Sequence, residues 1–419
     1  MSKPVIGLSL SGGGSRAIAF HLGCLRALHD LGILDEVRVI STVSGGSVIG
    51  AIYAANDEPF PVFETKVRSL LASGLVRPAL RKVFTTTEGL RAIYCATLLA
   101  VINLAILAIA TGPRLLSLLL PPTARKRWSF DKLRAPLPRF ASRTTILRRV
   151  LDEDVFHGLK LRELPATRPL LIINAADLRT GSAFYFSREK SGSWRLGELA
   201  GSQTTLAHAV MASAAYPLFL PALDERLPFN KPDGSRREEH VTLTDGGAYD
   251  NLGLAPLWPD RDSSVSLNVS CVDSIICCRA GYGLRFDPPS QFFMARLTST
   301  FTCIFDRAQN AAVKRLFDLK SSGQIKRFAT PFLGQDDTRL AFPPSNLVSR
   351  DDAHGYPTDF SSMPDEWIEK LSKRGEQLTY ALIAEHMPDL GSELRQRESC
   401  SENGHNSNPL CRRWKRGER

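Results

Sequence analysis

Residues 5–16, VIGLSLSGGGSR, decide the fold of this chain. Val5 to Leu10 form a short apolar run that predicts a buried strand, and Gly12 to Gly14 follow it. Beyond the glycines, apolar residues recur at helical spacing from Ile18 to Leu28, and Gly32 ends the pattern. The stretch therefore predicts a strand, a glycine loop and a helix in succession.

A second unit of the same kind follows. Val37 to Thr42 predict another buried strand, the run Ser44 to Gly46 breaks it sharply, and Ser47 to Asn56 form a small apolar helix. Further strands are expected at Leu170 to Ala175 and Val241 to Thr244. Strands that alternate with helices predict an α/β fold with a largely parallel sheet.

The turn after the second strand has the form of a nucleophile elbow. TVSGG, from Thr42 to Gly46, exposes the Ser44 hydroxyl on a tight strand-to-helix turn, with Thr42 in place of the usual first glycine. Ser41 still lies on the strand and Ser47 already lies in the helix, so Ser44 is the candidate nucleophile. The alternative is a plain helix entry at which the serine caps the helix.

The glycine loop is a candidate anion site. Backbone N–H groups of Gly12, Gly13 and Gly14 at a helix N-terminus suit an oxyanion or a phosphate. With Ala17 the loop also satisfies the loose dinucleotide fingerprint, but that fingerprint requires an acidic residue at the end of the second strand. Ser44 follows that strand instead, which favours acyl transfer over nucleotide binding.

A serine nucleophile needs a base, and Asp245 is the candidate. It ends an apolar strand in the sequence TDGG, where glycines permit close approach, and His354 is the histidine we retain as an alternative. A carboxylate with an ordinary pKa of ~3.9 works as a base only in a partly desolvated site whose oxyanion hole contributes strongly. The alternative interpretation of Asp-Gly-Gly is a turn with no catalytic role.

Taken together, these blocks resemble the patatin-like phospholipases. Ser11 to Arg16 resembles the glycine-rich oxyanion loop of that family, and Val43 to Ser47 resembles its nucleophile elbow. Ala212 to Pro221 (ASAAYPLFLP) resembles its serine-alanine-proline block, and Asp245 to Gly247 its DGG turn. With Asn174 to Gly181 (NAADLRTG), the matching blocks occur in the family's order.

The resemblance implies a three-layer α/β fold, to which the strand–helix pattern adds a mostly parallel central sheet and the composition adds an apolar helical insertion. It also implies a Ser44–Asp245 dyad that hydrolyses lipid acyl esters without a metal or cofactor, with membrane lipids as substrates. Arg16 would steady the glycine loop or bind an anionic head group. Thr42 and Ala17 depart from the family's usual glycines, but neither departure removes a catalytic group. The alternative function is a catalytically idle lipid-binding or membrane scaffold protein.

Charge points to an anionic partner. The 419 residues carry a formal net charge of +10, concentrated in Arg77 to Lys82, Arg125 to Arg127 and Arg412 to Arg419. No nucleic-acid module is recognisable, so an anionic membrane surface is expected rather than nucleic acid. No oligomeric state is predicted.

An apolar segment favours membrane association. Ala92 to Thr111 contain no charge and are about long enough to cross a bilayer. A single crossing would separate Ser44 from Asp245, so residues 92–120 are expected to form a re-entrant or interfacial hairpin whose helix is broken at Pro113, Pro121 and Pro122. A buried core helix is the alternative.

The cysteines and the start of the chain suggest a reducing compartment. The eight cysteines form no Cys-x-x-Cys pair and are judged to have no histidine companion at metal-ligand spacing, so no zinc site is expected. Met1 to Pro4 run straight into the first strand without an apolar stretch suited to a signal peptide. We therefore expect a cytoplasmic, membrane-associated protein with free thiols.

These features predict four parts of the chain. A catalytic domain spans residues 3–280 and is interrupted by an apolar and basic membrane-associating insertion at 77–127. A mainly helical part, 281–390, packs on the core, and 391–419 form a disordered basic tail.

Overall fold

The computed structural model describes residues 4–117, 140–201, 203–217, 219–231, 233–261, 272–283 and 291–390. The predicted basic tail, 391–419, and the end of the predicted insertion lie outside these residues. The strands are β1 (Ile6–Leu10), β2 (Val37–Val43), β3 (Leu170–Asp177), β4 (Ser182–Phe186), β5 (Gly192–Ser193), β6 (Gly197–Leu199), β7 (Leu223–Asn230), β8 (Arg236–Asp245), β9 (Ser274–Cys278) and β10 (Arg327–Ala329). The helices are α1 (Gly14–Asp30), α2 (Gly45–Ala54), α3 (Phe60–Ser73), α4 (Val76–Thr85), α5 (Thr87–Ser117), α6 (Arg143–Asp154), α7 (Leu206–Ser213), α8 (Gly247–Asp250), α9 (Phe293–Ser321) and α10 (Asp365–His386).

The described strands form one sheet in the order β10-β9-β1-β2-β3-β4-β5-β6-β7-β8. Strands β10, β9, β1, β2 and β3 run parallel to their neighbours, as expected for strands joined by crossover segments. From β3 to β8 every pairing is antiparallel. The expected largely parallel sheet is therefore wrong, and the sheet is mixed: β3 to β6 and β7 to β8 are joined by short connections that suit antiparallel neighbours, and β7 returns antiparallel to β6 after α7.

Strand β3 joins the two halves of the sheet. Its residues Leu170 to Asn174 pair with β2, and its residues Ala175 to Asp177 pair with β8. Because β4 occupies the opposite edge, β2 and β8 share one edge of β3 and meet end to end. Val43 pairs with Asn174 and Asp245 pairs with Ala175, so the carboxyl ends of β2 and β8 face each other.

Helices cover both faces of the sheet and produce two cores. Alternate residues of β9 show this: Ile276 and Cys278 belong to the core formed with α1, α2 and α10, whereas Ile275 and Cys277 belong to the core formed with α9. The arrangement is a three-layer α/β fold with the sheet in the middle.

The C-terminal residues complete the structure on the α1 side. Helix α10 crosses α1 so closely that a side chain at Gly23 would meet the Ser372 carbonyl, and one at Gly375 would meet the Phe20 carbonyl. Only glycine allows two helix backbones to approach in this way. The region after residue 281 also contributes β10 to the edge of the sheet beside β9.

The apolar segment is a single exposed helix as far as the structure describes it. Thr87 to Ile106 is the one described helix long and apolar enough to cross a membrane, and 17% of it is buried. A buried core helix is therefore the wrong alternative. The expected break at Pro113 is also wrong, since α5 continues to Ser117, because a proline removes one helical hydrogen bond without always ending a helix. The expected return of the hairpin lies outside the described residues.

Candidate active site

Ser44 occupies a strained turn between β2 and α2. Its φ of 52° and ψ of −119° are rarely adopted by a residue with a side chain, and such strain is typical of functional positions. The two following glycines explain how the turn fits. A Cβ at Gly45 would lie 2.2 Å from the Gly14 carbonyl oxygen, and one at Gly46 would lie 2.3 Å from that of Leu10. The elbow thus packs backbone to backbone against β1 and the glycine loop.

The glycine loop lies directly beside the nucleophile. A Cβ on Gly12 would come within 3.2 Å of the Ser44 Cβ, and Gly13 and Gly14 have φ values of 145° and 60°. The Gly12 amide donates to the Asn251 carbonyl at 3.1 Å, so it is already engaged. Within the described part of the chain, no partner takes the Gly13 and Gly14 amides. Two of the three predicted oxyanion donors are therefore available.

Asp245 lies where β8 meets β2. Its side chain is buried, and burial raises the pKa of this carboxyl from 3.8 to about 6. The neighbouring Ser44 side chain and a hydrogen bond from the Gly247 amide, at 2.7 Å, lower the pKa and partly offset that effect. The structure thus places Ser44 and Asp245 side by side, where β2 and β8 end on adjacent residues of β3.

The other predicted residues lie around this pair. Arg16 donates through Nε to the Ala280 carbonyl at 3.0 Å, and its guanidinium carbon lies 4.3 Å from the centre of the Tyr282 ring. Its guanidinium also lies beside Gly13, where a Cβ would come within 3.3 Å of Nη2, and its role in steadying the loop stays a prediction. His354 packs against Tyr282 with ring centroids 4.6 Å apart, whereas the side chain that interacts with Asp245 is that of Ser44.

Ser213 at the end of α7 is a site residue that the sequence patterns did not single out. Its hydroxyl accepts the Ser44 amide at 2.9 Å and lies 2.8 Å from the Ser47 hydroxyl, while its carbonyl accepts the Gly246 amide at 3.2 Å. Ser213 therefore holds the elbow and the Asp245 turn together. The available signal was the serine within the block ASAAYPLFLP.

Asn174 performs a similar task on β3. Its Nδ2 donates to the Ser41 hydroxyl at 2.9 Å and to the Thr42 carbonyl at 2.8 Å. The carbonyl oxygen of Asn174 in turn lies against Gly246, where a Cβ would approach it to 2.1 Å. The strand shared by the two halves thus contacts both turns of the site.

A cavity of about 710 Å³ adjoins the site on the α9 side of the sheet. Its lining is mainly apolar and aromatic, with Tyr249, Trp258 and Phe305 among the walls, and its volume is in the range of small-molecule sites. Neither Ser44 nor Asp245 lines the cavity. Gly247 and Asn251 are the link, since both line the cavity and both lie against the dyad or the glycine loop.

Comparison with known proteins agrees with this geometry. The model of the patatin-like phospholipase family matches residues 8–258. Lysophospholipase NTE1 of Pyricularia oryzae is 40% identical over 58 residues, which are 14% of this chain and 4% of that protein. The Yarrowia lipolytica lysophospholipase NTE1 is 38% identical over 89 residues, 21% of this chain and 6% of that protein. The chain thus spans only a small part of these curated relatives.

A solved structure shows the same fold. Human GIVD cytosolic phospholipase A2 superimposes with a TM-score of 0.51 and 13% identity, covering 94% of this chain and 62% of that one. At this identity the likeness concerns the fold alone. Because the family model covers more than half of the chain and its matched region contains the glycine loop, the elbow and the DGG turn, the chain belongs to the patatin-like phospholipase family.

Proposed function

We propose that this protein is a lipid acyl hydrolase of the phospholipase A or lysophospholipase type, with Ser44 as nucleophile and Asp245 as its base. One observation carries the proposal: the Ser44 side chain interacts with the buried Asp245 carboxyl, beside the Gly13 and Gly14 amides, which have no hydrogen-bond partner among the described residues. Family membership supports lipid ester hydrolysis in general. The assignment of roles to individual residues is our inference from the geometry.

In the first half-reaction the Ser44 oxygen attacks the acyl carbonyl carbon while Asp245 accepts the hydroxyl proton. The amides of Gly13 and Gly14 stabilise the negative charge that develops on the carbonyl oxygen, and each well-placed donor contributes roughly 3 kcal/mol. Gly12 leaves room beside Ser44 but donates its amide elsewhere. The ester C–O bond then breaks, and Asp245 returns its proton to the leaving alcohol oxygen.

The second half-reaction repeats these steps with water. Asp245 takes a proton from a water molecule while the water oxygen attacks the acyl-Ser44 carbonyl carbon. The bond between that carbon and the Ser44 oxygen then breaks, the fatty acid leaves, and Asp245 returns the proton to Ser44. A base with a pKa near 6 is ionised at neutral pH and is still strong enough to accept a proton. The raised pKa therefore supports one group acting alternately as base and acid.

The position of the cavity and of α5 supports a lipid substrate. The apolar cavity beside Gly247 has room for an acyl chain. Helix α5 presents large apolar side chains to solvent, with Leu90, Tyr94, Val101 and Leu104 each more than 60% exposed. An exposed apolar helix of this length fits insertion into a membrane interface. We include membrane association through this helix in the proposal.

Fatty-acid release tests the proposed function. The wild type, Ser44→Ala and Asp245→Ala are compared on phosphatidylcholine and lysophosphatidylcholine vesicles and on a soluble short-chain ester. Ser274→Ala is the matched control, because Ser274 is equally buried but begins β9, at the opposite end from the site. We expect release by the wild type and the control, and none by the other two variants. Release that survives Ser44→Ala, or a wild type inactive on every ester, would overturn the proposal.

A further inference from the structure

Three buried side chains with metal-binding atoms meet beneath the glycine loop. His21 and Cys24 lie one turn apart on α1, and Cys278 is the last residue of β9. One ligand atom from each lies within 4.8 Å of the other two, and all three side chains are fully buried. The cluster takes no part in the proposed acyl transfer.

The orientation of His21 points to a missing partner. Its Nε2 lies 2.9 Å from the Ser11 carbonyl oxygen, which can only accept, so Nε2 carries the hydrogen. Nδ1 is then left with a lone pair, and it is buried without a hydrogen-bond partner. Such an unmet acceptor destabilises the folded state. Histidines that bind metals characteristically donate their other ring N–H to a carbonyl or carboxylate, as His21 does here.

The donor set selects the kind of ion. Two thiolates and one neutral imidazole suit a soft ion, and thiolates favour Cu⁺ and Zn²⁺ among the common ones. In a tetrahedral zinc centre with Zn–S near 2.3 Å and Zn–N near 2.0 Å, ligand atoms lie about 3.5–3.8 Å apart. The three atoms lie within 4.8 Å of one another, so they would approach by up to about 1 Å to reach that spacing. Two thiolates balance a divalent charge, and zinc held by these three ligands would take water as its fourth.

We propose that His21 Nδ1, Cys24 Sγ and Cys278 Sγ bind one thiophilic d10 metal ion, Zn²⁺ or Cu⁺. The ion would tie α1 to the end of β9 and, through His21, hold the Ser11 carbonyl just before the glycine loop. Its role is structural, since none of its ligands belongs to the dyad. The sequence analysis, which expected no zinc site, considered only residues close together in the chain, whereas Cys278 joins His21 and Cys24 only in the folded protein.

Cys277 provides a matched control. It is the neighbour of Cys278 on β9 and equally buried, but it faces the core on the α9 side, where its sulfur lies 3.7 Å from the Ser9 hydroxyl. Cys277→Ala and Cys278→Ala therefore remove the same atoms from adjacent buried positions. Only the second removes a proposed ligand.

The experiment measures metal bound to the full chain. Reduced protein is stripped with a chelator, equilibrated separately with Zn²⁺ and with Cu⁺, desalted, and analysed for metal by mass spectrometry. We expect about one tightly held ion per wild-type and Cys277→Ala chain, and loss of that ion in Cys24→Ala and Cys278→Ala. The arm that reaches one equivalent identifies the ion.

A spectroscopic measurement on the wild type keeps the proposal testable if a cysteine variant fails to fold. Co²⁺ added to stripped wild type should give a thiolate-to-metal charge-transfer band that Zn²⁺ abolishes. A wild type that retains neither ion and shows no such band would overturn the proposal. So would equal metal content in the wild type and in both folded ligand variants, because the ion would then be bound elsewhere.

Discussion

The two halves of the sheet contribute different kinds of group to the site. The parallel half supplies backbone: the loop after β1 carries two amides that no described residue pairs with, and the turn after β2 holds Ser44 at a positive φ. The antiparallel half supplies charge, in the form of Asp245 at the end of β8. The parallel half should therefore be sensitive to added atoms and the antiparallel half to altered charge.

The largest expected effect comes from removing the charge of the antiparallel half. Asp245→Asn keeps the shape of the side chain but cannot accept the Ser44 proton, so kcat should fall by about 10²–10⁴-fold. The assay is fatty-acid release at pH 8, where the wild-type carboxylate is fully ionised. A loss of less than tenfold would show that another group acts as the base.

The same variant should be more stable at neutral pH. The pKa of Asp245 in the folded protein, about 6, lies above its ordinary value, so the native state binds more protons than the unfolded state between pH 4 and 6. Stability is therefore lost as pH rises through that window, on the order of 2–3 kcal/mol by pH 7. Asp245→Asn should raise Tm at pH 7 and raise it less at pH 5.

Gly45→Ala should disturb the contact between the elbow and the glycine loop in the parallel half. The added Cβ would lie 2.2 Å from the Gly14 carbonyl oxygen, and backbone on both sides leaves no flexible atom to yield. A displacement of about 1 Å between nucleophile and oxyanion donors should lower kcat by roughly 10²-fold. Gly281→Ala is the control, because its nearest contact would be the Phe332 ring at 3.7 Å. Full activity of Gly45→Ala would contradict the described contact between the elbow and the loop.

The pH profile reports on the antiparallel half without any mutation. Only the ionised carboxylate of Asp245 can accept a proton, and its pKa is about 6. The value of kcat/KM should therefore be level above pH 7 and fall about tenfold per pH unit below 6. The soluble ester is the substrate of choice, since it avoids pH effects on vesicles. A profile that stays level down to pH 4 would contradict this account of the base.

Ser213→Ala removes a hydrogen bond between the Ser44 elbow and the helix that also contacts the Asp245 turn. It removes the acceptor of the Ser44 amide and leaves the dyad itself in place. One lost hydrogen bond of about 0.5–1.5 kcal/mol predicts a loss of roughly 3–10-fold. If Ser213 positions the nucleophile, kcat falls while KM stays unchanged. A fall in Tm with normal kcat would assign it a purely structural role.

How far the sequence predicted these halves depends on how local their signals are. The loop at Gly12 to Gly14 and the elbow at Ser44 were predicted correctly as strand-to-helix turns, because each lies within one continuous stretch of chain. The antiparallel pairing of β3 to β8 was not predicted, since the sequence patterns indicated a largely parallel sheet. Strands β5 and β6 span only Gly192–Ser193 and Gly197–Leu199, too short to show an alternating pattern.

Contacts between distant residues were beyond the sequence patterns altogether. Ser213 reaches the Ser44 amide from another helix, and Cys278 meets His21 and Cys24 only after β9 is placed beside β1. The end-to-end meeting of β2 and β8 on β3 is likewise a property of the sheet. No periodicity within either strand contains that information.

The smallest effect on catalysis is expected from substitutions in α5, which belongs to neither half of the sheet. A double variant, Val101→Glu and Leu104→Glu, puts charge on the exposed face of α5, where Leu104 is 66% exposed. Binding to vesicles should weaken by about tenfold or more, while hydrolysis of the soluble ester stays unchanged. Phe342→Glu is the control, since Phe342 is also 66% exposed but lies outside the insertion. Equal vesicle binding by all three proteins would rule out α5 as the membrane contact.

The most direct test of the central claim is covalent trapping of the nucleophile. An alkyl fluorophosphonate reacts with an activated serine by losing fluoride and leaving a stable adduct, which peptide mass spectrometry assigns to one residue. We predict a single adduct on Ser44, formed at least about 10²-fold more slowly in Asp245→Asn. An adduct on another serine, or unchanged labelling of Ser44→Ala, would contradict the account.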